Sequence, residues 1–181
     1  MDAESQIKEW VKNDLERMEA LTVAAALDLP EWCLAAGFVR NLVWDKMHGF
    51  SSATPLNDID LIYFDSCDSR ESVDREMEQR LTSASGLPWS VKNQARMHER
   101  NLDSPYDSTE DAMSYWVEVE TAVGVALDGD GEVVLVAPFG VAPLFNCTIT
   151  LNAKRPKPTD FNSRIGAKRW LEIWPKLVVN T

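Results

Sequence analysis

The sequence predicts an α+β fold in which helices pack against a small mixed sheet. Three features carry that expectation. Ile7, Trp10, Val11, Leu15 and Met18 recur at helical spacing near the start of the chain. The run Ile59-Asp-Leu-Ile-Tyr-Phe64 has the length and the apolar, aromatic content of a core strand. Asp128-Gly-Asp-Gly131 separates Thr121–Leu127 from Glu132–Ala137, the pattern of a hairpin turn between strands. With 181 residues, 45% of them apolar and seven tryptophans, the chain can bury one sizeable core. Residues 1–181 are therefore expected to form a single domain, with 148–181 as a small basic C-terminal extension.

Taken in order, residues 5–27 read as one helical region, continued by Val23-Ala-Ala-Ala-Leu27 and ended by Pro30. Trp32-Cys-Leu-Ala-Ala36 is a short buried strand or a helix end. Val39 to His48 is a helix with Val39, Val43, Trp44 and Met47 on one face, and Gly49 stops it. A polar loop with Pro55 leads to a strand over Asp58–Phe64. Ser69 to Leu81 is a charged, exposed helix with Ser69 as its cap. Trp89 to Met97 is a strand, Glu99–Ser108 a loop, and Thr109–Trp116 a short helix. After the hairpin, Cys147–Leu151 is the last strand, and Phe161–Trp174 is a closing helix halted by Pro175.

The net charge of −11 hides a split. From Lys154 onward the chain carries +5, and the remainder −16. An acidic body repels long polyanions, so binding of long nucleic acid is not expected. The basic segment holds a triphosphate or a short RNA end, or else simply neutralises the body. Cys33, Cys67 and Cys147 are far apart and form no CxxC pair, which argues against a disulfide framework or a zinc site. No apolar run approaches the roughly 20 residues needed to cross a bilayer, and Met1-Asp-Ala-Glu-Ser lacks the features of a signal peptide. A cytoplasmic protein without a membrane partner is expected.

Chemistry concentrates at a few positions. On a strand, Asp58 and Asp60 share one face, and two carboxylates at the edge of a core are costly unless a cation binds them. A divalent ion, Mg²⁺ or Mn²⁺, is the expected cofactor, and phosphoryl transfer the expected chemistry. The turn at Ala36-Gly37 lets backbone amides approach a phosphate, with Arg40 one turn into the helix. With period two, Lys92, Gln94, Arg96 and His98 fall on one strand face, suited to a polyphosphate or a base edge, or equally to water. Glu118 and Glu120, again at i and i+2, offer a third carboxylate or a solvated strand edge. Asp128 and Asp130 resemble the start of a calcium loop, but its twelfth position is Phe139, so they are read as a turn. The tryptophans are read as core.

Ala36-Gly-Phe-Val-Arg-Asn41 followed by Asp58-Ile-Asp60 resembles the head signature of the polymerase-β-type nucleotidyltransferase superfamily. Nearly the whole chain is similar to a family of small bacterial nucleotidyltransferase proteins. That likeness runs through Val43-Trp-Asp45, Asp58–Asp65, Lys92–His98, Thr121–Val125, Ala137-Pro-Phe-Gly140 and Trp174-Pro-Lys176. The resemblance implies a nucleotidyltransferase-like mixed sheet, Asp58 and Asp60 as catalytic metal ligands, and a glycine turn that receives a triphosphate. It also implies transfer of a nucleoside monophosphate from an NTP to an unidentified acceptor. Gly37, Arg40 and Asn41 would contact substrate, with Lys92, Gln94, Arg96 and His98 in support. Three features depart from the pattern: Ala36 replaces a glycine, Asn41 replaces an acid, and Lys92-Asn93-Gln94 occupies the stretch where many members carry a third carboxylate. Glu118 is the candidate to supply that ligand, with Glu120 as its substitute. An inactive nucleotide-binding or interaction domain of the same fold is the alternative, and a modifier of RNA ends or of a protein a third.

Overall fold

Five short strands build the main sheet of the computed structural model, which describes residues 1–181: β1 (Cys33–Ala35), β2 (Ile59–Tyr63), β3 (Trp89–Asn93), β4 (Gly124–Leu127) and β5 (Val133–Val136). Their spatial order is β3-β2-β1-β4-β5. All neighbours run antiparallel except β2 and β3, which are parallel. A parallel pair needs a long crossover, and α4 (Glu71–Ser85) supplies it. Every residue of the central β1 is buried, which accounts for its unbroken apolar sequence. The expected hairpin is present: the Asp128 amide donates to the Glu132 carbonyl, and the Asp128 carboxylate accepts from Asp130 and Glu132.

The N-terminal helical region is two helices, α1 (Ala3–Lys12) and α2 (Leu15–Ala25), where one was expected. Asn13 closes the first, and the Asp14 side chain caps the second by accepting from the Arg17 amide. A side-chain acceptor at that position starts a new helix in place of extending the old one. Leu15 consequently lies at the first turn of α2, 86% exposed and off the apolar stripe. Ile7, Val11, Leu21 and Ala24 join Leu34, Leu61, Val91 and Val125 in the main core. Val39 and Val43 enter the same core from α3 (Gly37–His48), which ends at Gly49 in the left-handed conformation as expected.

The strand expected over Trp89–Met97 ends at Asn93, and the chain turns through a 3₁₀ segment (Gln94–Arg96) into α5 (Met97–Asn101). The cause is the buried Asn93 side chain. It donates to the Asp65 and Asp68 carbonyls and accepts from the Asp65 and Ala95 amides, so it anchors the loop after β2 and caps the turn. The α4 helix starts at Glu71, and its cap position is Arg70, not Ser69. The helix is not solvated throughout: Asp74 is buried, accepting from the Tyr63 hydroxyl and the Asn93 amide and pairing with Arg96.

Past α6 (Thr109–Met113), a 3₁₀ turn (Val119–Thr121), β4, β5 and α7 (Ala142–Phe145), the C-terminal segment folds back on α3. The closing helix breaks at Arg169, whose φ is +53°, into α8 (Pro158–Lys168) and α9 (Trp170–Ile173). An additional strand, β7 (Val178–Asn180), pairs in parallel with β6 (Thr148–Thr150). Ile149, Phe161, Trp170, Trp174 and Leu177 form a second core around Trp44. The Trp174 indole donates to Asp45 at 2.8 Å, and the Lys176 amide donates to His48 Nε2 at 2.9 Å. The residues of Val43-Trp-Asp45 and Trp174-Pro-Lys176 thus fasten this segment in place. No helix is long and apolar enough to cross a membrane.

Two backbone positions yield tests. A Cβ on Gly124 would lie 2.6 Å from Cys33 Sγ and 3.3 Å from the Leu34 carbonyl. Gly124→Ala should therefore cost about 1–3 kcal/mol in urea unfolding. Gly129→Ala, with open space around it, should stay within about 0.5 kcal/mol. Ala36 sits at φ +56° and ψ −121°, a region that suits glycine. Ala36→Gly should raise stability by about 1 kcal/mol in the same measurement, because strain released exceeds the entropy added to the unfolded chain.

Candidate active site

One cavity of about 620 Å³ opens over the exposed side of β2 and β3. Asp60 lies in it, half-buried and in register with Ala35 on β1 and Ser90 on β3. Asp58 stands exposed just before β2, because the ladder begins at Ile59. Burial and then the Asp58 charge push the Asp60 carboxyl above its ordinary pKa, while Ser90, Lys168 and Arg40 oppose that shift. Ala36 also lines the cavity, leading directly into α3. It makes no side-chain cap, so the amides of the first turn have no side-chain acceptor.

Arg40 is placed differently from the phosphate-facing residue the spacing suggested. It is buried, with its guanidinium 5.0 Å from the Trp44 ring and 4.5 Å from the Trp170 ring. It donates to Thr121 Oγ1 at 2.8 Å and to Asn41 Oδ1 at 3.0 Å. Burial lowers its pKa to about 10, with the Glu118 charge acting against that shift. Asn41 therefore serves as an acceptor for Arg40. A Cβ on Gly37 would crowd Asn41 Nδ2 at 3.3 Å and Arg40 Nη2 at 3.5 Å, so the turn packs tightly on this pair.

Of the four residues assigned to one strand face, Lys92 and Gln94 line the cavity. Arg96 and His98 do not, because the chain leaves the sheet after Asn93. Arg96 pairs with buried Asp74, and His98 bonds the Ala95 carbonyl through Nδ1 and meets Tyr106 edge-on. Glu118 lines the cavity but is 1% exposed and receives Arg164 through Nε at 2.6 Å and Nη2 at 3.2 Å. Glu120 is turned elsewhere, accepting from Thr148 Oγ1, Thr150 N and Thr150 Oγ1, each at 2.7 Å. Neither is a solvated strand edge, and no group of three His, Cys, Asp or Glu side chains converges as a metal site. The cavity also draws on residues that sequence patterns did not single out as site residues. These are Ser90, Arg100, Tyr115 and Trp116, with Lys157, Asp160, Ser163 and Arg164 from the C-terminal segment. The last three stand at i, i+3 and i+4 on α8, a spacing that marks one helix face.

A sequence profile described as Nucleotidyltransferase matches residues 22–179. A structure solved by NMR and described as a CCA-adding enzyme head domain is 30% identical, with a TM-score of 0.83 over 98% of this chain and 96% of its own. A CCA-adding enzyme in complex with CTP is 13% identical, with a TM-score of 0.61 over 98% of this chain and 43% of its own. The Thermotoga maritima CCA-adding enzyme complexed with tRNA gives the same identity and TM-score over 98% of this chain and 42% of its own. These two likenesses are of fold, and this chain spans less than half their length. No curated protein matches. The profile match over most of the chain and the 30% identical head domain agree with the Asp58-Ile-Asp60 and Ala36-Gly37 sequence features: the chain belongs to the nucleotidyltransferase family.

Proposed function

We propose that the protein transfers a nucleoside monophosphate from an NTP to an acceptor hydroxyl in this cavity, with Mg²⁺ or Mn²⁺ as cofactor. The observation that carries the reading is Asp60, a half-buried carboxylate close enough to feel the Asp58 charge, which faces a cavity that also holds Lys92 and Arg164. The donor set fits a hard divalent ion. Asp60 on β2 and Asp58 just before it would supply oxygen ligands, and Mg²⁺ commonly keeps waters and takes substrate phosphates for its other positions. When bound, such an ion would neutralise charge on the reacting phosphates.

The chain's own residues bind and orient. First-turn amides of α3, from Gly37 on, would face a phosphate, aided by the helix dipole, while the Ala36 amide is held by the Val123 carbonyl. Lys92 and Arg164 add cations, and Glu118 holds Arg164 in position. Tyr115 and Trp116 offer an aromatic wall for a base. The acceptor hydroxyl oxygen attacks the α-phosphorus in line and gives up its proton to water, a P–O bond forms, the bond to the β-phosphate breaks, and pyrophosphate leaves with the electron pair. Proteins of the same fold solved with CTP and with ATP support an NTP as donor. Arg96 and His98 act in this reading through the fold, Arg96 by its pair with Asp74.

A second reading, nucleotide binding without turnover, is favoured by one observation: Glu118 is occupied by Arg164 and leaves the carboxylate pair without a third acid. Pyrophosphate release from each NTP with Mg²⁺ or Mn²⁺, with and without cell extract, separates the two. The enzyme reading expects metal-dependent release that Asp60→Asn reduces by about 10²-fold or more. Binding of NTP with no release under any condition would favour the second reading. Failure of both NTP and metal to bind at millimolar concentrations would remove both.

A further inference from the structure

Three cavity cations have no carboxylate partner. Arg164 pairs with Glu118, but Lys92, Arg100 and Lys157 enter no ion pair. Lys92 reaches the Val91 carbonyl on the sheet. Arg100 and Lys157 belong to the rim, where the end of α5 meets the segment entering α8. Arg100 is exposed and Lys157 half-buried.

That rim is built on a buried network. Asn101 Oδ1 accepts from Lys157 Nζ at 3.4 Å, its carbonyl accepts from Arg155 Nη2 at 2.7 Å, and its Nδ2 donates to the Tyr106 hydroxyl at 3.2 Å. Tyr106 donates to Asp103 at 2.7 Å, and Asp103 also pairs with Arg155. Tyr106 and the Asp103 side chain are each 5% exposed. Arg155 is therefore neutralised and structural, whereas the neighbouring Lys157, held by Asn101, and the exposed Arg100 enter no ion pair. The acid on this side of the cavity is Asp160, one turn along α8 from Lys157 and in no ion pair itself. In a chain of net charge −11, this side of the cavity thus carries two cations, Arg100 and Lys157, against the single acid Asp160.

We propose that Arg100 and Lys157 form a rim subsite for a phosphate group carried by the second substrate, the acceptor of the nucleotidyl group. The inference rests on the nucleotidyl-transfer reading, in which the carboxylates on the floor engage the NTP. A group entering from solvent then meets the rim, where two cations and the Asn101 amide match phosphate oxygens. The same chemistry is present on the terminal phosphate of the NTP, so the test separates the two sources.

Inorganic phosphate is titrated into isotope-labelled protein and followed by NMR, first alone and then with saturating non-hydrolysable NTP and Mg²⁺. Amide shifts at Arg100, Asn101 and Lys157 are expected in both titrations. Arg100→Gln/Lys157→Gln should weaken phosphate binding about tenfold, the scale of one charge-assisted hydrogen bond, and leave nucleotide affinity within about twofold. Spectral dispersion verifies that the double variant is folded. The proposal is overturned if phosphate shifts Ala36 and Gly37 alone. It is also overturned if nucleotide abolishes the rim shifts and the double variant loses nucleotide affinity, since the rim would then hold the NTP's own phosphate. Missing rim shifts beside intact nucleotide binding would sink this subsite alone. Absent nucleotide binding with the rim shifts intact would sink the nucleotidyl-transfer reading, and the acceptor role with it.

Discussion

The guanidinium of Arg40, lying over the rings of both Trp44 and Trp170, joins α3 to the C-terminal segment. A desolvated cation–π contact contributes about 2 kcal/mol, so two together offset a good part of the burial of a charge. The remaining compensation comes from Thr121, Asn41 and the field of Glu118. Glu118 in turn holds Arg164 on α8. Buried Arg40 and Glu118 and the partly exposed Arg164 thus form one charge system that ties α3 to α8, while Trp170 of α9 packs on the Arg40 guanidinium. Loss of one member would leave the others uncompensated in a low dielectric.

The same arrangement explains the charge split along the chain. A basic stretch of +5 following a body of −16 resembles a solvated tail when read linearly. Folded, it is distributed by pairing: Arg155 with Asp103, Lys154 with Asp111 and over Tyr115, and Arg164 with Glu118. Those pairs are long-range in sequence and partly or wholly buried, so each positions an element as well as cancelling charge. Of the cations in this stretch that enter no ion pair, Lys157 lines the cavity, where Lys92 and Arg100 from the body join it.

Features set by neighbouring residues were legible in the sequence. The α3 stripe with its Gly49 stop, the Asp128–Gly131 turn and the strand behind Asp60 all follow from spacing within a few positions. Features set by distant partners were not. The β3 strand stops at Asn93 because its side chain bonds residues 65 and 68, and period-two alternation continues past that point in sequence. Glu118 looked like a spare carboxylate because Arg164 is 46 positions away. Arg40 looked like a phosphate contact because nothing local announces the Trp170 ring. The motif residues around Asp45 and Trp174 were noticed, yet their hydrogen bond, 129 positions apart, appears only in the fold.

The engagement of Glu118 bears directly on how the site would work. With a third acid free, three fixed carboxylates can hold a cation before substrate arrives. With two, one of them the exposed Asp58, most of the coordination must come from water and phosphate oxygens. Donor and cation then bind as a coupled unit, each raising the affinity for the other by the same factor. The raised pKa of Asp60 points the same way: burial and the adjacent Asp58 charge disfavour its ionised form until positive charge is supplied. Under the proposed function, a site of this kind would carry little cation when empty and would assemble around the nucleotide. In the proposed reading the burden of recognition would then fall on the first-turn amides of α3, from Gly37 on, and on the cations of α8 and β3, and not on a preformed metal centre.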